Sequence, residues 1–197
     1  MTGPSIGKIA TSAKIETDFR GTGTSFAILR IRHAYVNLAW KQSALLLGQT
    51  WHPFFGDIYP QVLNLNTGAP FNAFSRAPQI RYRFDNGHWQ LTGAALWQLQ
   101  YLSNGPNGKS EEYIKNSCIP EFYAGIDYKH ENFQAGIGAE VLSLKPRTQN
   151  TVDGKVYKLD ERITSMSFEA HLRYKTPDWL VAAKSTLGEN MTHTCML

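Results

Sequence analysis

Charge is what this sequence is short of. Of its 197 residues only 18% are Asp, Glu, Lys or Arg, against roughly a quarter in ordinary soluble domains. Aromatic residues, by contrast, make up 12%, which excludes a disordered chain, since those are charged and poor in rings. Long apolar runs are missing as well. Stretches such as Ala44-Leu45-Leu46-Leu47 fall far short of the roughly 18 residues that a transmembrane helix needs. One membrane architecture stays open. A transmembrane barrel shows lipid only every second residue of each strand, so its average composition looks hydrophilic. Cysteine is scarce: Cys118 and Cys195 lie far apart with no C-x-x-C pair, which argues against a zinc or dithiol motif. Two free thiols or one disulfide both fit. The chain has no P-loop, G-x-G-x-x-G, G-x-S-x-G or H-E-x-x-H, and its six histidines are scattered without metal-ligand spacing. No catalytic residues, metal or other cofactor are therefore expected, and His52 before Pro53 reads as a turn residue. The net charge of +4 comes without a Lys/Arg run, so nucleic acid is not an expected partner.

What the sequence has in abundance is period-two alternation, with almost no helical periodicity. Ile9, Thr11, Ala13, Ile15 and Phe19 alternate with Lys8, Ser12, Lys14, Glu16 and Asp18. Over residues 24–41 the apolar phase changes near His33, which predicts a bulge or a local kink there. Residues 44–51 form a third strand. Ile80, Tyr82 and Phe84 then alternate with Arg81 and Arg83. Residues 89–101 set Trp89, Leu91, Ala95, Trp97, Leu99 and Tyr101 against Gln90, Thr92, Gln98 and Gln100. Four further strands follow over residues 121–129, 133–141, 165–175 and 179–187. About nine strands result, most of them long enough for a tilted span of about 9–11 residues.

Short and long connections alternate. Lys41-Gln42-Ser43, Asp85-Asn86-Gly87, the turn at Glu131-Asn132 and Thr176-Pro177-Asp178 are short. The links over residues 52–78, 102–119 and 145–161 are long. A wall with short turns at one rim and long loops at the other has this signature, as in outer-membrane barrels. Aromatics mark the strand ends: Trp40, Trp51, Phe84, Trp89, Tyr101, Tyr128, Phe133, Tyr174 and Trp179. Interfacial girdles explain them, although a sandwich core would also use aromatics. The expected fold class is all-β, an antiparallel up-and-down meander forming part of a transmembrane β-barrel. Residues 1–197 read as a single domain. Nine strands is an odd number, whereas closed single-chain bacterial barrels have even ones. The first twenty residues also lack a signal-peptide core. Either that segment was removed or the chain begins inside a longer protein, and the odd strand count predicts a piece of a larger barrel.

Leu29-Arg30-Ile31-Arg32-His33-Ala34-Tyr35-Val36, Leu47-Gly48-Gln49-Thr50-Trp51-His52-Pro53, Asn66-Thr67-Gly68-Ala69-Pro70-Phe71 and Ser75-Arg76-Ala77-Pro78-Gln79-Ile80-Arg81 together carry a resemblance. This stretch, about residues 24–84, resembles outer-membrane porins of Gram-negative bacteria, and in particular DcaP-like porins and their Bacteroides-type relatives. The rest matches in strand pattern only. The resemblance implies a non-enzymatic channel in the outer membrane, commonly trimeric, that passes small and often anionic solutes. Its partners would be outer-membrane lipid, the solutes and two further copies of the chain.

The link over residues 52–78 is the most informative segment. It holds Phe54, Phe55, Ile58, Tyr59, Val62, Leu63, Leu65, Phe71 and Phe74, with Asp57 and Arg76 as its charges. So long and apolar a loop is usually functional. A constriction loop folded into the lumen, with Phe54, Phe55, Asp57, Tyr59, Phe71 and Arg76 as its contributors, explains it. A plug or a loop packed on another subunit is the alternative. The expected pore lining is Arg30, Arg32, Arg81, Arg83, Glu169, His171 and Arg173, joined by Lys14, Lys175 and Lys184. Rings of Arg and Lys favour anions. The same face carries Glu16, Asp18, Glu121, Asp127 and Glu140, so pairing between neighbouring strands competes with that role. Two other readings remain. One is a soluble lipocalin-like or β-sandwich ligand-binding module. The other is a barrel enzyme, suggested by Ser165, Ser167 and His171 on one face but without a supporting motif.

Overall fold

The computed structural model describes residues 2–19, 28–59 and 68–196. In chain order its strands are β1 (Ala10–Asp18), β2 (Arg30–Trp40), β3 (Ser43–Trp51), β4 (Arg76–Asp85), β5 (Trp89–Leu96), β6 (Asn104–Gly105) and β7 (Gly108–Lys109). After helix α1 (Glu112–Ser117) come β8 (Glu121–His130), β9 (Phe133–Leu144), β10 (Gln149–Val152), β11 (Lys155–Lys158), β12 (Ile163–Lys175) and β13 (Leu180–Gly188). Two 3-10 turns, Pro53–Phe55 and Met191–Thr194, complete the list. Nine strands form one sheet in the order β1-β2-β3-β4-β5-β8-β9-β12-β13. Every pairing in it is antiparallel and joins neighbours along the chain. The expected meander is therefore present. Among the described residues the sheet is open, with β1 and β13 as its edges. No helix among them is long and apolar enough to cross a membrane.

Alternation explains the two faces. Leu91, Ile126, Ile137, Phe168, Leu172 and Val181 are exposed on one side. Their neighbours Gln90, Glu121, Gln134, Glu140, Ser167 and Glu169 are buried on the other, under the loops. The pairing rows keep this parity across the sheet: Leu91 stands opposite Ile126, and Ile126 opposite Ile137. An apolar exposed face with a polar covered face inverts the pattern of a soluble domain and suits a wall set in lipid.

The phase change near His33 is a real bulge. Glu16 pairs with His33 but Thr17 with Ile31, leaving Arg32 as the extra residue. Residues 20–27, the start of the strand expected from residue 24, lie outside the described residues. One other expectation needs correction. The strand beginning at Trp89 stops at Leu96, and Trp97 leaves the exposed apolar face to pack on Tyr113, Ile114, Leu142 and Leu144. The long links over 102–119 and 145–161 carry structure of their own, the hairpins β6-β7 and β10-β11 and helix α1. The aromatic girdle survives at the short-turn rim, where Trp89, Phe133, Tyr174 and Trp179 are exposed. At the opposite rim Trp51 and Tyr101 turn inward, against Phe74.

Gly48 shows how tightly β2 and β3 approach. Its φ is +126°, and a Cβ there would lie 2.3 Å from the Ala34 carbonyl oxygen and 2.8 Å from Tyr35 Cα. Both obstacles are backbone and cannot rotate away. Backbone strain of this kind costs about 1–3 kcal/mol before the clash is counted. Gly48→Ala is expected to lower the folded yield and the unfolding temperature in detergent, measured by heat-modifiable electrophoresis. Gly93→Ala, where a Cβ meets open space, is the matched control and should fold normally.

Candidate functional site

The long link after β3 folds back over the polar face. β4 begins at Arg76, so the link covers residues 52–75 rather than 52–78. Residues 60–67, including Val62, Leu63 and Leu65, lie outside the described residues. The link enters through the turn Pro53–Phe55, which starts where the His52 ring accepts a hydrogen bond from the Phe54 backbone N–H (3.2 Å). Phe54 is fully buried with Ala73, Ala77, Ala94, Leu96, Tyr123 and Met191. Phe55 stacks on Trp51 with ring centroids 4.1 Å apart, and Tyr59 stacks on Phe55 at 5.0 Å. From the far edge of the sheet, Lys184 on β13 donates to the Phe54 carbonyl and, at 3.0 Å, to that of Phe55. The link thus reaches from β3 to β13 across the polar face.

Beneath it lies a cavity of about 690 Å³, bordered by Phe55, Asp57 and Tyr59 of the link and by Arg81, Arg83, Gln90, Asp127, Glu169 and His171 of the sheet. A second cavity, of about 470 Å³, lies between the link and β12-β13 and is bordered by Asp57, Tyr59, Phe71, Arg173 and Lys184. The structure therefore brings Arg81, Arg83, Glu169 and His171 together with Phe55, Asp57 and Tyr59. It places Arg173 and Phe71 at the neighbouring cavity.

The arginine doublets differ. Arg30 binds Asp18 through two hydrogen bonds, 3.0 and 2.6 Å, and Arg32 bridges to Glu16 at 2.7 Å. Both are tied to carboxylates on β1 and border neither cavity. Arg81 donates to Gln79 Oε1 (2.8 Å) and to the Trp51 carbonyl (2.5 Å). Neither Arg81 nor Arg83 forms an ion pair among the described residues. Among the other cavity groups, His171 sits 2.8 Å from Asp127, and Lys184 3.5 Å from Glu169. Two residues expected in the constriction serve packing instead. Phe54 anchors the link in the core, and Arg76 belongs to β4, buried with its guanidinium 3.9 Å over the Trp51 ring.

A second polar cluster sits at the long-loop rim and escapes the sequence analysis. His52, Glu121, Glu140 and His193 are each at least 98% buried, and one ligating atom from each lies within 4.8 Å of the others. His52 comes from the end of β3, Glu121 and Glu140 from the polar faces of β8 and β9, and His193 from the turn after β13. The Phe74 N–H donates to the Thr194 carbonyl (2.7 Å), seating that turn on the link. His52 is hydrogen-bonded to Glu121. Burial alone would push the His193 imidazole down, but Glu121 and Glu140 outweigh it and hold its pKa up near 10. No spacing reveals the four residues, because each comes from a different element. The available hint is two glutamates on the covered faces of adjacent strands.

No protein-family model matches the chain, and neither does any curated protein. Among solved structures the chain is similar to OmpTdeltaL8, a loop L8 deletion mutant of OmpT, an outer membrane protein of Vibrio cholerae. The TM-score is 0.59 at 13% identity, over 95% of this chain and 58% of that one. This chain thus matches little more than half the length of that protein. At such identity the likeness concerns the fold alone, and it agrees with the topology: the chain has the all-β meander of an outer-membrane β-barrel protein.

Proposed function

We propose that the chain forms the wall of an outer-membrane, porin-like channel for passive diffusion of small hydrophilic solutes, with a preference for anions. The observation that carries this reading is the arginine pair Arg81 and Arg83. Both border the cavity of about 690 Å³ on the polar face while the opposite face is apolar. A positive wall of low dielectric raises the local anion concentration. The resemblance of residues 24–84 to DcaP-like porins points the same way and adds trimeric assembly. Lipid contacts the apolar face, and no catalytic step enters. A soluble binding module would have to leave Ile137, Phe168 and Trp179 in water, which disfavours it.

The test is reconstitution. Protein folded in detergent and added to planar bilayers is expected to give stepwise conductance, and proteoliposomes should swell in small sugars. A chain that stays folded and monomeric without detergent, and produces no conductance, would remove the channel reading in favour of the soluble one.

A further inference from the structure

We propose that Glu121, Glu140 and His193 form a binding site for one divalent transition-metal ion of the zinc type, with His52 as a positioning residue behind Glu121. Three observations carry the site, and none depends on the channel reading.

The first is convergence. His193 Nε2 lies 3.2 Å from Glu121 Oε2 and 3.4 Å from Glu140 Oε1, yet it is aligned for a hydrogen bond with neither. Ligand bonds of about 2.0–2.2 Å around a tetrahedral ion place neighbouring ligand atoms roughly 3.3–3.5 Å apart. Both His193-to-carboxylate distances are close to that spacing, and one ligand atom from each residue lies within 4.8 Å of the others.

The second is buried polar atoms left without partners. Glu140 Oε2 and His193 Nε2 have no hydrogen bond, although their residues are 2% exposed. Leaving such atoms unpaired is destabilising, more so when they are charged. An ion held by Glu140 Oε1 satisfies His193 Nε2 and ties down the carboxylate whose other oxygen, Oε2, lies 3.6 Å from His52 Nε2, while His193 Nδ1 stays without a partner. The third is charge. Two carboxylates shut away from water need compensating positive charge nearby, and a divalent ion between them supplies it.

His52 takes a different role because of its tautomer. Its Nδ1 accepts the Phe54 N–H, so its Nε2 carries the proton toward Glu121. A protonated nitrogen does not ligate. It orients the carboxylate that does, as outer-shell partners of metal sites do. One imidazole and two carboxylates suit zinc, cobalt or manganese, whereas magnesium and calcium prefer oxygen alone. Three protein ligands leave a coordination position open for water or a solute. The ion would join β8 and β9 to the terminal turn and, through His52, to the inward link.

The experiment is calorimetric titration of chelator-stripped protein in detergent with zinc chloride, followed by the cobalt absorption spectrum. One zinc per chain with micromolar or tighter affinity is expected. Glu140→Gln and His193→Ala should each weaken it at least 100-fold. His52→Gln should weaken it by about tenfold, in keeping with an outer-shell partner. Heat-modifiable electrophoresis checks that each variant folds. Should a variant misfold, the wild-type cobalt spectrum decides, since a site with nitrogen and oxygen ligands gives visible bands absent from cobalt in buffer. Absence of binding, equal binding of magnesium, or zinc binding untouched by both substitutions would overturn the site. A hydrogen-bonded cluster without metal would then be the correct description.

Discussion

Replacing Arg81 and Arg83 together by serine is expected to turn an anion-preferring conductance into an unselective or cation-preferring one. The charge balance of the larger cavity gives the direction. Asp127 is hydrogen-bonded to His171, and Glu169 lies 3.5 Å from Lys184. Asp57 of the link also borders the cavity. Removing two arginines that form no ion pair leaves the acidic side in surplus. A unit charge acting over about 4 Å is worth about 1 kcal/mol in water and more near a protein wall. The chloride-to-potassium permeability ratio should therefore fall roughly five- to tenfold. The effect should be largest at low salt, where the Debye length reaches about 30 Å, and nearly vanish at 1 M, where it is about 3 Å. Arg30→Ser with Arg32→Ser is the control. Those arginines are neutralised by Asp18 and Glu16 and border neither cavity, so the reversal potential should not move. If the two double variants behave alike, the selectivity does not arise at the cavity.

That contrast marks what a single sequence could and could not disclose. Parity puts all four arginines on the polar face, because alternation is a property of each strand taken alone. It cannot tell that Asp18 stands opposite Arg30 while Arg83 stands opposite Thr92, because register between strands is set by their hairpins and bulges. The bulge at Arg32 was legible because it changes phase within one strand. The end of β5 was not. Trp97 continues the alternation in type, but the strand stops at Leu96 and Trp97 is claimed by Tyr113 and Leu142. A tertiary partner outweighs a local pattern there. The cluster of His52, Glu121, Glu140 and His193 was least legible of all. His52 before Pro53 carries an ordinary turn signal, and His193 lies beyond the last alternating run. What unites them is the folding of two loops onto one rim.

Phe54→Ala is expected to release the inward link. Phe54 is the deepest part of its described portion: the ring is fully buried, 5.6 Å from Tyr123 and 5.4 Å from His52 by centroid. Truncating such a ring costs about 3–5 kcal/mol, part transfer free energy and part cavity. The loss falls on the link rather than on the wall, whose ladders are backbone hydrogen bonds that this side chain does not make. Local opening free energies begin near zero for loops and rise to the global value for core strands. A loss of several kcal/mol at the main anchor should therefore populate an open link while β1 to β13 remain folded. Single-channel conductance should rise several-fold and become noisier. Protease added to proteoliposomes should cleave the link at sites shielded in the unaltered protein, a readout independent of conduction. Lys184→Met removes the second tether, to the carbonyls of Phe54 and Phe55, and should produce a weaker form of the same behaviour. Phe71→Ala is the comparison. That ring is 89% exposed, and substitutions at such positions usually stay within about 0.5 kcal/mol, so neither cleavage nor gating noise should change. If Phe54→Ala conducts and resists protease like the unaltered protein, the link is not held by this anchor.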